Sequence, residues 1–198
     1  MISVALATED ELSEAVGLRL LSELSVEISV DLLLRKGGFG YLRSRMSNWR
    51  ELCKCQPVVI LTDLDKTECP SRLLLDWAGS TPLPENMLLR IAVREVEAWL
   101  LADHDAIRQL VGKKGNLQSS PDDLLDPKQC LIALAKNAPR DVRLDLIKAD
   151  QAIASQGIGY NSRLVSFVNN EWNPERAAQR SPSLARARRR LRELAARQ

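Results

Sequence analysis

VVILTDLDKTECP, Val58 to Pro70, is the stretch whose reading decides the fold. Val58 to Thr62 is near-continuously apolar, as a strand covered on both faces of a parallel sheet requires. The run then ends in Thr62-Asp63-Leu64-Asp65, so two carboxylates leave the same end of the strand. Such an ending has three readings: a metal site, a phosphotransfer nucleophile, or polar turn chemistry.

Around this strand the first half of the chain alternates in type. Ile2 to Ala7 reads as a short buried strand, and Glu9 to Leu24 carries apolar residues at a helical period. Val26 to Leu34 reads as a second strand, followed by the glycine-rich turn Gly37-Gly38-Phe39-Gly40 and a helix over Tyr41 to Cys53. Beyond the deciding stretch come a short helix over Pro70 to Ala78, a strand over Met87 to Val93 and a helix over Arg94 to Val111. Strands alternating with helices predict an α/β fold with a parallel sheet. From Asp122 onward the pattern is helical throughout, with helices from Pro127, over Val142 to Ala154, over Asn161 to Asn170 and over Ser183 to Arg197. Residues 112–123 (GKKGNLQSSPDD) read as a mobile connection. The expected division is an α/β core over 1–111 and a helical C-terminal extension over 112–198 that packs on it.

A chain of 198 residues with 45% hydrophobic and 27% charged residues can bury a core unaided. Aromatic residues are few, at 4%, so that core is built mainly from Leu, Val, Ile and Ala. No window approaches the length of an uninterrupted apolar span, and the N-terminus turns acidic without a basic region, so neither a membrane nor a secretory signal is expected. Cys53-x-Cys55 is too tight for a zinc knuckle, and the single histidine, His104, has no ligand-like spacing to any cysteine. Reduced, mostly packed thiols in a cytoplasmic protein are the expectation. The net charge is only +2, but eight arginines fall between Arg176 and Gln198, while acids cluster in the first fourteen residues and around Asp122 to Asp126.

In a parallel sheet, ligands sit at the carboxyl ends of the strands. Acidic groups fall at three such ends: Glu9, with Glu14 further along the next helix; Asp63 and Asp65; and Glu95 and Glu97. Carboxylates gathered at one edge repel, and a hard divalent cation, Mg²⁺ or Mn²⁺, relieves them. Each also has a plain structural reading. Thr8 to Glu11 fits a capping box with Thr8 as N-cap. Asp63 and Asp65 fit turn chemistry, and Glu95 and Glu97 fit a polar helix start.

The order of these acids resembles the TOPRIM fold of topoisomerases, primases and old-family nucleases: glutamate after the first strand, Asp-x-Asp after the third, a further acid after the next. TEDELSEAVGLRLL, GGFGYL, VVILTDLDKTECP, RIAVREVEAWLLAD and the later YNSRLVSFV and PSLARA together resemble a small prokaryotic TOPRIM-like family found in anti-phage defence operons. That resemblance implies a Rossmann-like parallel sheet flanked by helices and a Mg²⁺-dependent nuclease of DNA or RNA. It also implies catalytic and metal roles for Glu9, Asp63, Asp65 and Glu97, with Glu14 and Glu95 as further ligands, and an operon-encoded ATPase as partner. Two positions depart from the pattern: Asp10 stands where a glycine usually follows the first glutamate, and Glu95-x-Glu97 replaces Ser-x-Glu. LTDLDKT also resembles the nucleophile motif of haloacid-dehalogenase phosphatases, with Asp63 as nucleophile, Asp65 as acid/base and Thr67 following. A non-catalytic TOPRIM-like binding or regulatory subunit is the third reading, and self-association is left open.

Two basic elements are candidate nucleic-acid contacts. One is the glycine turn with Arg35, Lys36, Arg43 and Arg45, where backbone N–H groups and arginine forks suit phosphate. The other is the last helix, with Arg188 and Arg189. The tryptophans Trp49, Trp77, Trp99 and Trp172 read as core, and His104 as a helix-surface residue.

Overall fold

The computed structural model describes residues 2–35, 38–149 and 154–197, the Phe39 side chain excepted. Four strands form one all-parallel sheet: β1 (Ile2–Thr8), β2 (Ile28–Arg35), β3 (Val58–Asp63) and β4 (Met87–Ala92), in the spatial order β2-β1-β3-β4. The crossovers carry α1 (Glu11–Leu21), then α2 (Gly38–Ser44) with α3 (Met46–Leu52), then α4 (Pro70–Ala78). After β4 come α5 (Val96–Leu101) and α6 (His104–Val111). The remainder is α7 (Pro127–Ala135), α8 (Arg140–Leu146), α9 (Tyr160–Asn170), α10 (Pro174–Ala178) and α11 (Pro182–Ala195).

The period of two along the strands sorts the core into two layers. Val4 and Leu6 of β1, Val59 and Leu61 of β3 and Leu88 of β4 face a layer made by α1, α5 to α9 and α11. Ala5, Ala7, Val58, Ile60, Met87 and Leu89 face the opposite layer of α2, α3 and α4, closed by Trp49 and Trp77. Burial on both faces is why VVIL carries no polar alternation. Helix α1 comes so close to the sheet that a Cβ on Gly17 would meet the Leu6 side chain at 2.9 Å. All four tryptophans are buried, as the sequence predicts. Their N–H groups donate to Leu42 O (from Trp49), Ser183 Oγ (from Trp99) and Trp99 O (from Trp172).

Several expectations are corrected. The capping box at Thr8 does not form: Asp10 is the N-cap of α1, its carboxylate accepting from Ser13 N at 2.8 Å. Glu9 is thereby left in the turn between β1 and α1. The helix over Tyr41 to Cys53 divides into α2 and α3 at Arg45. The helix over Arg94 to Val111 starts later and divides at Asp103, whose fully buried carboxylate caps α6 through Ala106 N, accepts from Asn173 N at 2.7 Å and pairs with Arg176 at 2.8 Å. Residues 112–123 are tied down rather than free. Arg108 donates to the carbonyls of Gly112, Lys114 and Gly115, and Asp122 accepts from Ser181 Oγ at 2.6 Å and Ser183 N at 2.8 Å. Helix α8 stops at Leu146 instead of running to Ala154, part of that expected stretch lying outside the described residues. The chain then returns so closely that a Cβ on Gly157 would fall 2.1 Å from Asp145 O. Helix α10 was not foreseen.

Helices α7, α8, α9 and α11 share one apolar cluster with β1, β3, α1 and α5. Cys53 is buried and Cys130 half-buried, but Cys55 and Cys69 are exposed, so packing accounts for only half of the thiols. Among the described residues no helix is long and apolar enough to cross a membrane.

Candidate functional site

The carboxyl ends of β1 and β3 lie side by side, and their acids meet there. Glu9 Oε1 accepts hydrogen bonds from Asp63 N, at 3.0 Å, and from Thr62 Oγ1. Asp63 ends β3, and its Oδ1 accepts from Val96 N at 3.0 Å, at the first turn of α5. The backbone beyond is clasped to β4: Leu64 N donates to Ala92 O and Asp65 N to Arg94 O, each at 2.9 Å. Arg94 returns the contact, its guanidinium donating to Asp65 O and Thr67 O. Asp65 and Arg94 both adopt left-handed backbone, with φ of 48° and 63°. Side chains other than glycine enter that region at a cost, and such strain concentrates where a precise placement is held by its surroundings.

Burial is the main force on Glu9, Asp63 and Asp65. It raises Asp63 well above the ordinary aspartate range, and Glu97, Glu9, Asp10 and Asp65 push it further. Burial also raises Glu9, against the hydrogen bonds from Thr62 and Asp63. Asp65 is raised by burial and eased by Lys128 and Lys66. Buried like charges that elevate one another make this cluster a candidate functional site.

A second group forms beside the first. Glu97 is buried at 4% exposure; it accepts from the Tyr160 hydroxyl at 2.9 Å and faces Lys128 Nζ at 3.8 Å. The same ammonium lies 5.1 Å from the centre of the Tyr160 ring. Glu95 Oε2 accepts from Lys128 N at 2.9 Å, so it caps the start of α7. Burial raises both glutamates, with Lys128 opposing, and holds the Tyr160 phenol far above its usual range. Beside Asp65 and Glu95 opens a cleft of about 140 Å³, lined also by Lys66, Arg94, Leu125 and Asp126.

The structure therefore divides the predicted acids. Glu9 is hydrogen-bonded to the Asp63 backbone, while Asp65 acts on both through charge and Glu97 acts on Asp63 in the same way. Glu95 interacts with Asp65 only through charge and spends one oxygen on α7. Glu14 stands apart, paired with Arg35 at 3.7 Å. Among the described residues no three His, Cys, Asp or Glu side chains are gathered closely enough to hold a metal ion. The donor chemistry suits a hard cation, since every group is a carboxylate and the Asp63 pKa is raised by burial first and by its acidic neighbours next.

The basic candidates also divide. Arg43 is exposed, Arg45 lies against the Tyr41 ring, and Lys36 is outside the described residues. Arg188 is corrected: it is 9% exposed and paired with Glu23 at 3.0 Å, so it belongs to the packing of α11. Arg189 is exposed and faces Glu193 at 3.7 Å. Sequence reasoning missed Thr62, Arg94, Lys128 and Tyr160. Thr62 was visible as a polar residue ending an apolar strand; the other three reach the site only through tertiary packing.

No protein-family model, curated protein or solved structure matches this chain.

Proposed function

We propose that the protein is a TOPRIM-like, divalent-metal-dependent nuclease cleaving phosphodiester bonds of DNA or RNA, acting in prokaryotic defence with an ATPase partner. The observation that carries this reading is the junction of Glu9 and Asp63 at the ends of adjacent parallel strands, with Asp65 clasped beside them. Glu9, Asp63 and Asp65 would hold a Mg²⁺ or Mn²⁺ ion, which supplies charge to the phosphate and lowers the pKa of water. Thr62 and Asp63 N fix one oxygen of Glu9, and Val96 N fixes one of Asp63, so both side chains keep an oxygen with no protein donor among the described residues. Glu97, held by Tyr160, is the buried carboxyl placed to take a proton. Lys66 and Arg94 are the cations lining the cleft that would meet phosphate there.

The test is metal-dependent cleavage of labelled single-stranded DNA, double-stranded DNA and tRNA, beside Glu9→Gln and Asp63→Asn, alone and with the neighbouring ATPase. Cleavage that needs Mg²⁺ or Mn²⁺ and falls at least about a hundredfold in both variants is the expected result. Hydrolysis of a phosphate monoester that is lost in Asp63→Asn but kept in Glu9→Gln would favour the dehalogenase-like phosphatase instead. A binding or regulatory subunit without catalysis has one observation in its favour: Lys128 already faces Glu97, so that acid has a countercharge without a second ion. Metal-independent nucleic-acid binding with no cleavage under any condition would select it.

A further inference from the structure

Strand β4 is an edge of the sheet, and its register places its outer side in a second cleft. Val58 N donates to Asn86 O, and Leu64 N to Ala92 O. By the spacing of a parallel ladder, the even residues of β4 therefore turn their backbone groups to β3, and Leu89 and Ile91 turn theirs outward. Those two residues, with Arg90, line a cavity of about 170 Å³ between α4 on one face and α11 on the other. Ser71 and Leu74 of α4 and Ser183 and Arg186 of α11 complete the wall.

The charge of this cavity is one-sided. Arg90 lies on the sheet face where Leu88 and Ala92 are core, and its Nε is buried without a hydrogen-bond partner. Arg186 is exposed and has no ion pair among the described residues. Arg189 and Arg190 stand close enough to act on Arg90, and the acid among them, Glu193, is shared between those two at 3.7 and 2.6 Å. Burial first, then the neighbouring arginines, brings the Arg90 guanidinium down to about 10. A buried donor left unsatisfied costs stability, and a charged one more. Helix α4 also begins at this wall with Pro70 and no side-chain cap.

We infer that this cleft is an anion site for backbone phosphates of a nucleic-acid strand, with Arg90 and Arg186 as the contacting groups. Arg90 and Arg186 both line the cleft and neither has an ion pair among the described residues, so phosphate oxygens entering it would neutralise both. These are contacts of the sequence-independent kind, made to the charged backbone. Ile91 and Ala92 of β4 run directly from this cleft to Asp63, which pairs with Ala92, so one strand of nucleic acid would touch both places. The choice of nucleic acid as ligand rests on the nuclease reading, while binding itself requires neither metal nor cleavage.

The test is fluorescence polarisation of a labelled single-stranded oligonucleotide in EDTA, over a salt series, with wild type, Arg90→Gln, Arg186→Glu and, as a charge control, Arg143→Glu at an exposed position of α8. Arg186 is exposed, so its variant keeps the fold if Arg90→Gln does not; a thermal melt of each reports on that. The expected result is a Kd weakened about tenfold in Arg186→Glu and in Arg90→Gln. The slope of log Kd against log salt should fall by roughly 0.7 per lost phosphate contact. Inorganic phosphate at millimolar concentration should compete in wild type and not in the variants. Unchanged oligonucleotide affinity in Arg186→Glu would overturn the inference, as would an equal loss in Arg143→Glu. Absent cleavage with this pattern intact would overturn the nuclease reading and leave the anion site standing.

Discussion

Asp63 shows how a residue legible in sequence acquires its meaning only from its surroundings. Its position after VVILT marked it as the end of a buried strand. Its elevated pKa comes first from burial and then from Glu97 and Glu9, which the sequence places far away. Because the folded value lies above the unfolded one, the folded chain holds this proton more tightly. The stability it contributes is therefore complete below the ordinary aspartate range, near pH 4, and is lost as pH rises through the raised folded value. Asp63→Asn keeps the Oδ1 that accepts from Val96 N and removes the charge. Without metal at pH 7, that variant should melt higher than wild type, on the order of 2–4 °C for each kcal/mol relieved, with a flatter pH dependence of Tm. Mg²⁺ should raise the wild-type Tm and leave that of Asp63→Asn nearly unchanged. A wild-type melt that is level from pH 5 to pH 8 and insensitive to Mg²⁺ would contradict this account. Lys128 and Tyr160 were not readable in the same way: PKQC and GIGYN carry no local signal, and each residue becomes part of the site only when α7 and α9 dock.

At the scale of elements, the sequence was most informative where burial sets the pattern and least where one polar anchor overrides it. The bounds of α4 match the reading, Pro70 to Ala78, because Pro at its start and Gly79 beyond its end punctuate it. The break between α5 and α6 was invisible, since the apolar period of VEAWLLADHDAI runs on through Asp103. The break exists because the Asp103 carboxylate turns inward to cap α6 and to hold Asn173 and Arg176. Asp103→Ala removes one cap and a set of charge-assisted hydrogen bonds, so it should lower stability by about 2–4 kcal/mol. Urea denaturation checks this: the midpoint should fall with little change in m, and Asp103→Asn should recover part of the loss. An unchanged midpoint would mean that the tie from α6 to α10 carries no weight. The segment at 112–123 failed in the opposite direction. Its glycines, serines and lysines have the composition of a free linker, and two long-range partners, Ser181 and Ser183, hold its far end.

Taken whole, the chain has a parallel sheet with a full helical layer on each face, and one of those layers is built from both ends of the sequence. The alternation of strands and helices was enough to foresee the sheet and its direction. The order of strands, the placing of α11 against β4 and the side of the sheet that receives α7 to α9 were not, because they depend on which apolar faces meet. A fragment of residues 1–111 leaves Trp99, Leu100 and Val16 without the cover of Leu164, Phe167, Trp172 and Leu184. It should therefore lack a cooperative thermal transition by circular dichroism. A sharp two-state melt of that fragment would show that the first half folds alone. The tie between Glu97 and Tyr160 has a consequence for synthesis in the cell. These partners are 63 residues apart. At about 5–20 residues per second, roughly 3–13 s separate the synthesis of the acid from that of its hydroxyl partner. For that interval the nascent protein carries every carboxylate of the site and lacks Lys128 for part of it and Tyr160 throughout. Translation order thus keeps the site from maturing until most of the chain has been made.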